Sequence, residues 1–268
     1  MAKTIVMGNF KGGVGKTKVS VMTTWEMANK YNKKVLLIDM DPQGNASTLI
    51  ARSAGIEELP NTIFSGFEQG DLTPCILEVS ENLHMIPASL TFKNLPKFLY
   101  KKFDNEIEQV SYLKSLLEPI KDNYDYILID VPPTISDFSD NAMMAADYVL
   151  IILQAQELSL EGSETYVSYL QFMADNYDAD IQVAGVLPVL LRPGSRVDES
   201  TVERAKELFG NDNVMQNEIR HLERLKVWDV TGITNDDQHD RKAHLVFTKA
   251  TEELMQKIDA FEEAGKYE

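Results

Sequence analysis

Residues 7–20 read MGNFKGGVGKTKVS. An apolar run, Thr4–Gly8, precedes this stretch, and a helical pattern from Lys16 to Tyr31 continues out of it. A strand, a glycine-rich loop and a helix follow in the order that phosphate binding requires. The strict pattern G-x-x-x-x-G-K-[ST] is met at its end by Gly15, Lys16 and Thr17. Phe10 stands where the first glycine would be, and lysine occurs twice, at Lys11 and Lys16. Gly12, Gly13 and Gly15, with Val14 among them, let backbone N–H groups wrap a phosphate. Lys16 is suited to neutralise β- and γ-phosphate charge, and the Thr17 hydroxyl to face Mg2+. The loop therefore predicts Mg-ATP binding over residues 11–18.

Outward from the loop, KVLLID, YDYILID, YVLIIL and IQVAGVL are short apolar runs that close on polar or turn residues. Strands covered on both faces read this way. Helical patterns lie between them at Asn94–Asn123, Asp137–Ala146, Leu160–Asn176 and Asp198–Phe209. TPCILEVSENLHMIPAS suggests a small hairpin or an edge strand, and Arg241–Glu262 a final acidic helix. The alternation implies βαβ units. The expected fold is α/β, a doubly wound, mostly parallel sheet flanked by helices, like phosphate-loop NTPases. One domain is expected over residues 1–268, with no separate N-terminal helix-turn-helix domain.

Two further strands end in carboxylates: VLLIDMDPQGNAS carries Asp39 and Asp41, and YDYILIDVPP carries Asp130. The C-terminal ends of parallel strands face the ligand crevice. There one carboxylate could hold Mg2+ through water and another could position or deprotonate an attacking water.

The bulk numbers narrow the classes. The net charge of −16 argues against broad, permanent DNA binding, so any nucleic-acid contact needs a local basic patch. A single cysteine, Cys75, excludes an internal disulfide framework and a four-cysteine zinc site. It also disfavours an iron–sulfur ATPase that needs two cysteines per subunit. With no signal peptide and no long uncharged apolar run, the expectation is a cytoplasmic protein. The histidines at 84, 221, 239 and 244 read as ordinary surface residues rather than metal ligands.

KGGVGKT, LLIDMDPQGNAS and YILIDVPP resemble the deviant Walker A, Walker A′ and Walker B motifs of the ParA family of partition ATPases, within the ParA/MinD class. LSLEG (Leu158–Gly162) and AGVLPVLL (Ala184–Leu191) resemble later family segments in the expected order. The resemblance implies that Lys11 is the signature lysine, which reaches across an ATP-bound sandwich homodimer to the partner's phosphates. A cation supplied in trans offsets the charge of two facing nucleotides and makes dimerisation depend on ATP. By the same resemblance Asp41 activates water, while Thr17, Asp39 and Asp130 belong to the Mg2+ shell. The chain departs from the family at Lys18, where a second threonine is usual. It departs again at Arg220, where proline lines the adenine, so the adenine contacts stay unassigned.

The family's function implies nonspecific DNA binding by the ATP form, nucleoid association, and a centromere-binding adaptor protein of ParB type that stimulates hydrolysis. Candidate DNA cations are Arg192, Arg196, Arg220, Arg224 and Lys226. Lys93, Lys97, Lys101 and Lys102 form another basic set, read as a solvated helix face. Two alternatives stand beside this reading. A MinD-like membrane-positioning ATPase needs a basic amphipathic terminal helix, whereas this tail is acidic. A metabolic phosphate-loop enzyme is compatible with the fold but leaves Lys11 without a purpose.

Overall fold

The computed structural model describes residues 2–264, and within them every side chain except those of residues 157–159. The two ends of the 1–268 domain expectation, residues 1 and 265–268, therefore lie outside the described residues. So do the side chains of Leu158 and Ser159 in the LSLEG segment.

The strands are β1 (Lys3–Gly8), β2 (Val35–Asp39), β3 (Leu77–Ser80), β4 (Leu83–Ile86), β5 (Tyr126–Asp130), β6 (Tyr148–Gln154), β7 (Gln182–Leu191) and β8 (Ile219–Arg220). They form one sheet in the order β3-β4-β2-β5-β1-β6-β7-β8. Every pairing is parallel except β3 with β4, which makes a hairpin at one edge. The helices are α1 (Lys16–Asn29), α2 (Asn45–Ser53), α3 (Ile63–Gln69), α4 (Leu95–Lys102), α5 (Glu106–Val110), α6 (Tyr112–Lys121), α7 (Asp137–Ala145), α8 (Glu157–Tyr177), α9 (Arg196–Phe209), α10 (Arg224–Thr231) and α11 (Gln238–Ala264).

Alternation along the strands builds two cores. Ile5, Met7, Leu37, Leu128 and Leu150 pack on one face beneath α1, α2, α10 and α11. Val6, Ile38, Ile129, Val149 and Ile151 pack on the other beneath α3–α8. The doubly wound α/β expectation holds.

The expected helix over Asn94–Asn123 is broken into α4, α5 and α6. The reason is local. Phe103 turns extended, and the Asn105 side chain caps α5 by accepting from the Ile107 N–H. No described helix is long and apolar enough to cross a membrane.

Candidate active site

The loop after β1 is held by side chains that no phosphate-loop pattern names. Asn9 is buried; its Nδ2 donates to the Ile152 carbonyl at 2.8 Å, and its Oδ1 accepts from the Lys11 N–H at 2.8 Å. Phe10, in the place of the expected glycine, packs on Tyr166 and Tyr169 with ring centroids 4.7 and 5.0 Å away. The close approach shifts to Gly8, where an added Cβ would lie 2.3 Å from the Tyr166 ring. Beyond these anchors the chain turns through positive φ at Gly13 (76°) and Gly15 (94°). Both positions face open space, so backbone conformation alone demands glycine there.

Lys16 begins α1 and is 6% exposed. Its Nζ lies 3.4 Å from the Lys11 carbonyl. Burial lowers its pKa to about 8, although Asp130 and Asp41 pull the other way. A buried ammonium whose desolvation two aspartates only partly offset is suited to receive a phosphate. Lys11 sits at the rim, with its Nζ 3.0 Å from Gln156 Oε1 of the same chain, just past the end of β6.

The carboxylates arrive by register. Parallel pairing sets Asp39 at the end of β2 beside Asp130 at the end of β5, next to β1. Both are fully buried, and burial raises both pKa values; the Asp41 charge adds to the rise at Asp39, and the Asp39 charge to the rise at Asp130. Their hydrogen bonding differs. Asp39 accepts from the Asp41 N–H, the Ser47 N–H and the Ser47 hydroxyl at 3.1, 2.8 and 2.7 Å. It therefore shapes the turn that carries Asp41. Asp130 Oδ1 accepts from the Ser20 hydroxyl at 2.8 Å, and the neighbouring Thr17 side chain works to lower the pKa of this carboxylate. Asp130 Oδ2 is buried with no partner. An unpaired carboxylate oxygen beside the Thr17 hydroxyl fits the outer shell of a hydrated Mg2+. Among the described residues no cluster of three His, Cys, Asp or Glu side chains could hold a metal alone.

Gly13–Lys18 line a cleft of about 610 Å³ together with Asp41, Pro133, residues of α2 and Asp229 of α10. Asn45, Thr48, Leu49 and Arg52 of α2, and Asp229, were absent from the sequence-based site. The amphipathic spacing of NASTLIARS after Gly44 was a signal for α2; nothing local marked Asp229.

The candidate DNA cations divide into two groups. The register Leu191↔Arg220 brings exposed Arg192 and Arg220 together at one end of β7 and β8, with exposed Arg196 opening α9 nearby. Arg224 is instead paired with Asp237 and Asp240, and Lys226 with Glu223 at 3.1 Å. His244 departs from its expected surface role: it is paired with buried Glu26.

A family model described as an AAA domain matches residues 2–183. The sporulation initiation inhibitor protein Soj of Bacillus subtilis (strain 168) is 34% identical over 227 residues, covering 84% of this chain and 87% of that protein. The ATP complex of a McdA variant from Cyanothece superposes with a TM-score of 0.80 at 22% identity, covering 95% and 96% of the two chains. Cobyrinic acid a,c-diamide synthase from Mycobacterium smegmatis, with an ATP analogue and magnesium, superposes with a TM-score of 0.76 at 19% identity, covering 96% and 95%. At those identities the two structures speak for the fold alone. The chromosome-partitioning ATPase Soj of Treponema pallidum (strain Nichols) is 30% identical over 213 residues, covering 79% of this chain and 80% of that protein. The two Soj relatives, read with the loop and the paired strand-end aspartates, decide the family: this chain belongs to the ParA family of partition ATPases.

Proposed function

We propose that this ATPase works as a DNA-partition switch. Mg-ATP binds through residues 11–18, two subunits close face to face, and Lys11 crosses to the partner's nucleotide. Thr17 and Asp130 would hold magnesium, with Asp39 behind them, and the ion would supply neutralising charge for the nucleotide's phosphates. Lys16 contributes its buried ammonium to the same phosphates. Asp41, on the turn fixed by Asp39 and lining the cleft, orients the attacking water. Loss of the γ-phosphate removes the contacts that favour closure, and the dimer opens.

The observation that carries this reading is the rim lysine. Lys11 is fixed to the loop by its own N–H on Asn9, yet its ammonium lies beside Gln156 rather than in the cleft of its own subunit. A second subunit's nucleotide gives that ammonium a partner. The closed dimer would then bind nonspecific DNA through Arg192, Arg196 and Arg220 until a DNA-bound adaptor protein triggers hydrolysis. Two weak patches acting together suit a chain of net charge −16.

Size-exclusion chromatography with light scattering on Asp41→Ala tests the reading. The expected result is a dimer with ATP, a monomer with ADP, and co-elution with random duplex DNA only in the ATP sample. A monomer under all conditions would refute it.

A further inference from the structure

The nucleotide cleft has a second acidic side that the phosphate-loop chemistry does not use. Lys18 is the third residue of α1, and Arg52 closes α2 across the cleft from it. Both reach Asp229 of α10. Lys18 Nζ pairs with the Asp229 carboxylate, and Arg52 donates from Nη1 to the Asp229 backbone carbonyl. One acidic residue thus occupies both cations at the mouth of a cleft whose floor holds Lys16.

An exposed carboxylate on the wall of a polyphosphate site is electrostatically unfavourable unless its charge is taken up elsewhere. The Asp229 side chain is 53% exposed, and such an ion pair is worth only about 0–1 kcal/mol. A phosphate at the N-terminus of α1 carries more charge and adds the helix dipole. Lysine is a flexible point charge that can exchange one anion for another by rotating its stem. We infer that Lys18 is a phosphate ligand for a nucleoside di- or triphosphate and that Asp229 is its displaceable partner, so that nucleotide entry unties α10 from α1. The inference rests on the nucleotide reading of the cleft and deepens it.

The consequence lies along the chain. α10 follows Arg220 by a few residues and carries Lys226. Its far end stays pinned, because the Ile233 N–H donates to Ser53 Oγ of α2 at 2.8 Å. Release of the Asp229 carboxylate therefore removes the tie between α10 and α1, while Arg52 on the Asp229 carbonyl and Trp228 on Asp240 keep α10 seated; nucleotide occupancy is then sensed on the helix that follows the cationic edge within one subunit.

Isothermal titration of Mg-ADP into the parent protein, Lys18→Met, Asp229→Asn and Lys16→Ala provides the test, with melting temperatures measured without nucleotide. Lys18→Met is expected to weaken ADP binding about tenfold, and Asp229→Asn to tighten it about threefold, since a competing anion is gone. An ion pair with a purely structural role gives a different pattern: both variants melt lower and both bind ADP as the parent does. That result, or weaker binding by Asp229→Asn, overturns the inference. If Lys18→Met does not fold, the sign of the Asp229→Asn change decides alone. Parental ADP affinity in Lys16→Ala would instead refute the nucleotide reading of the cleft.

Discussion

The phosphate loop and the segment from Arg192 to His244 obey different rules. The loop is specified by backbone. Positive φ at Gly13 and Gly15, a close approach at Gly8 and a helix start at Lys16 leave few residue choices. The later segment is specified by side-chain partners distant in sequence. Glu26 meets His244 across 218 residues, and Lys18 meets Asp229 across 211. Backbone demands leave a pattern in the sequence, whereas pairings across the fold leave none that a local reading can find.

The largest expected effect falls on the loop. Lys16→Ala removes the buried ammonium and leaves bound phosphates without their main counter-charge. Nucleotide affinity should fall on the order of 100-fold or more, read by calorimetry. Unchanged affinity would refute the nucleotide reading of the cleft, and the contrast between the two regions would lose its chemical half.

Next comes Asp41→Ala, with an expected loss in ATP turnover of about 10²–10³-fold while nucleotide affinity stays near parental. The Asp39 partner should behave differently. Asp39→Asn replaces an acceptor of three hydrogen bonds with a group that must also donate, so the turn carrying Asp41 should shift. Asp39→Asn is expected to lower both the melting temperature and turnover, and Asp41→Ala turnover alone. Identical behaviour of the two would erase the distinction between a reacting carboxylate and one that holds a turn.

The cationic edge should give a smaller and separable response. Arg192→Ala with Arg220→Ala is expected to weaken DNA binding by the ATP form and reduce the slope of log affinity against log salt by about one per lost phosphate contact. ATP turnover without DNA should not change. Arg224→Ala should act differently from both, because Asp237 and Asp240 hold it inside the subunit: stability should drop. A pure DNA-binding loss from Arg224→Ala would show that those pairs open in solution.

This division explains what could be read in advance. The α/β class, the loop, Asp39, Asp41 and Asp130 were legible because periodicity and strand ends report them directly. The set Arg192, Arg196, Arg220, Arg224 and Lys226 was legible as charge but not as geometry. Sequence cannot distinguish Arg224, which two aspartates engage, from Arg220, which stands exposed beside Arg192. The break of the long helical pattern at Phe103 was missed for a related reason. Apolar spacing continues through the break, and only the Asn105 cap and the bond from Gln109 Nε2 to the Phe103 carbonyl reveal the turn.

The finest test concerns His244. Its Nδ1 lies 2.5 Å from Glu26 Oε1 and its Nε2 lies 2.9 Å from the Thr234 carbonyl. The ionised Glu26 carboxylate and the Thr234 carbonyl are both acceptors, so this arrangement favours an imidazolium with a proton on each ring nitrogen. Burial works against that charge, but the Glu26 and Thr234 hydrogen bonds outweigh it, and the net pKa shift is upward. A histidine with a raised folded-state pKa contributes stability that is fully present below the unfolded value near 6.5 and is lost as pH rises through the folded value. Thermal melts from pH 6 to 9 should therefore show the parent losing stability with rising pH more steeply than His244→Gln. At pH 6 the variant should melt lower by a few degrees, since one broken partly buried pair costs about 1–2 kcal/mol in a chain of this size. Parallel pH profiles would place a neutral imidazole between two acceptors, and α1 would then be held to α11 without an ion pair.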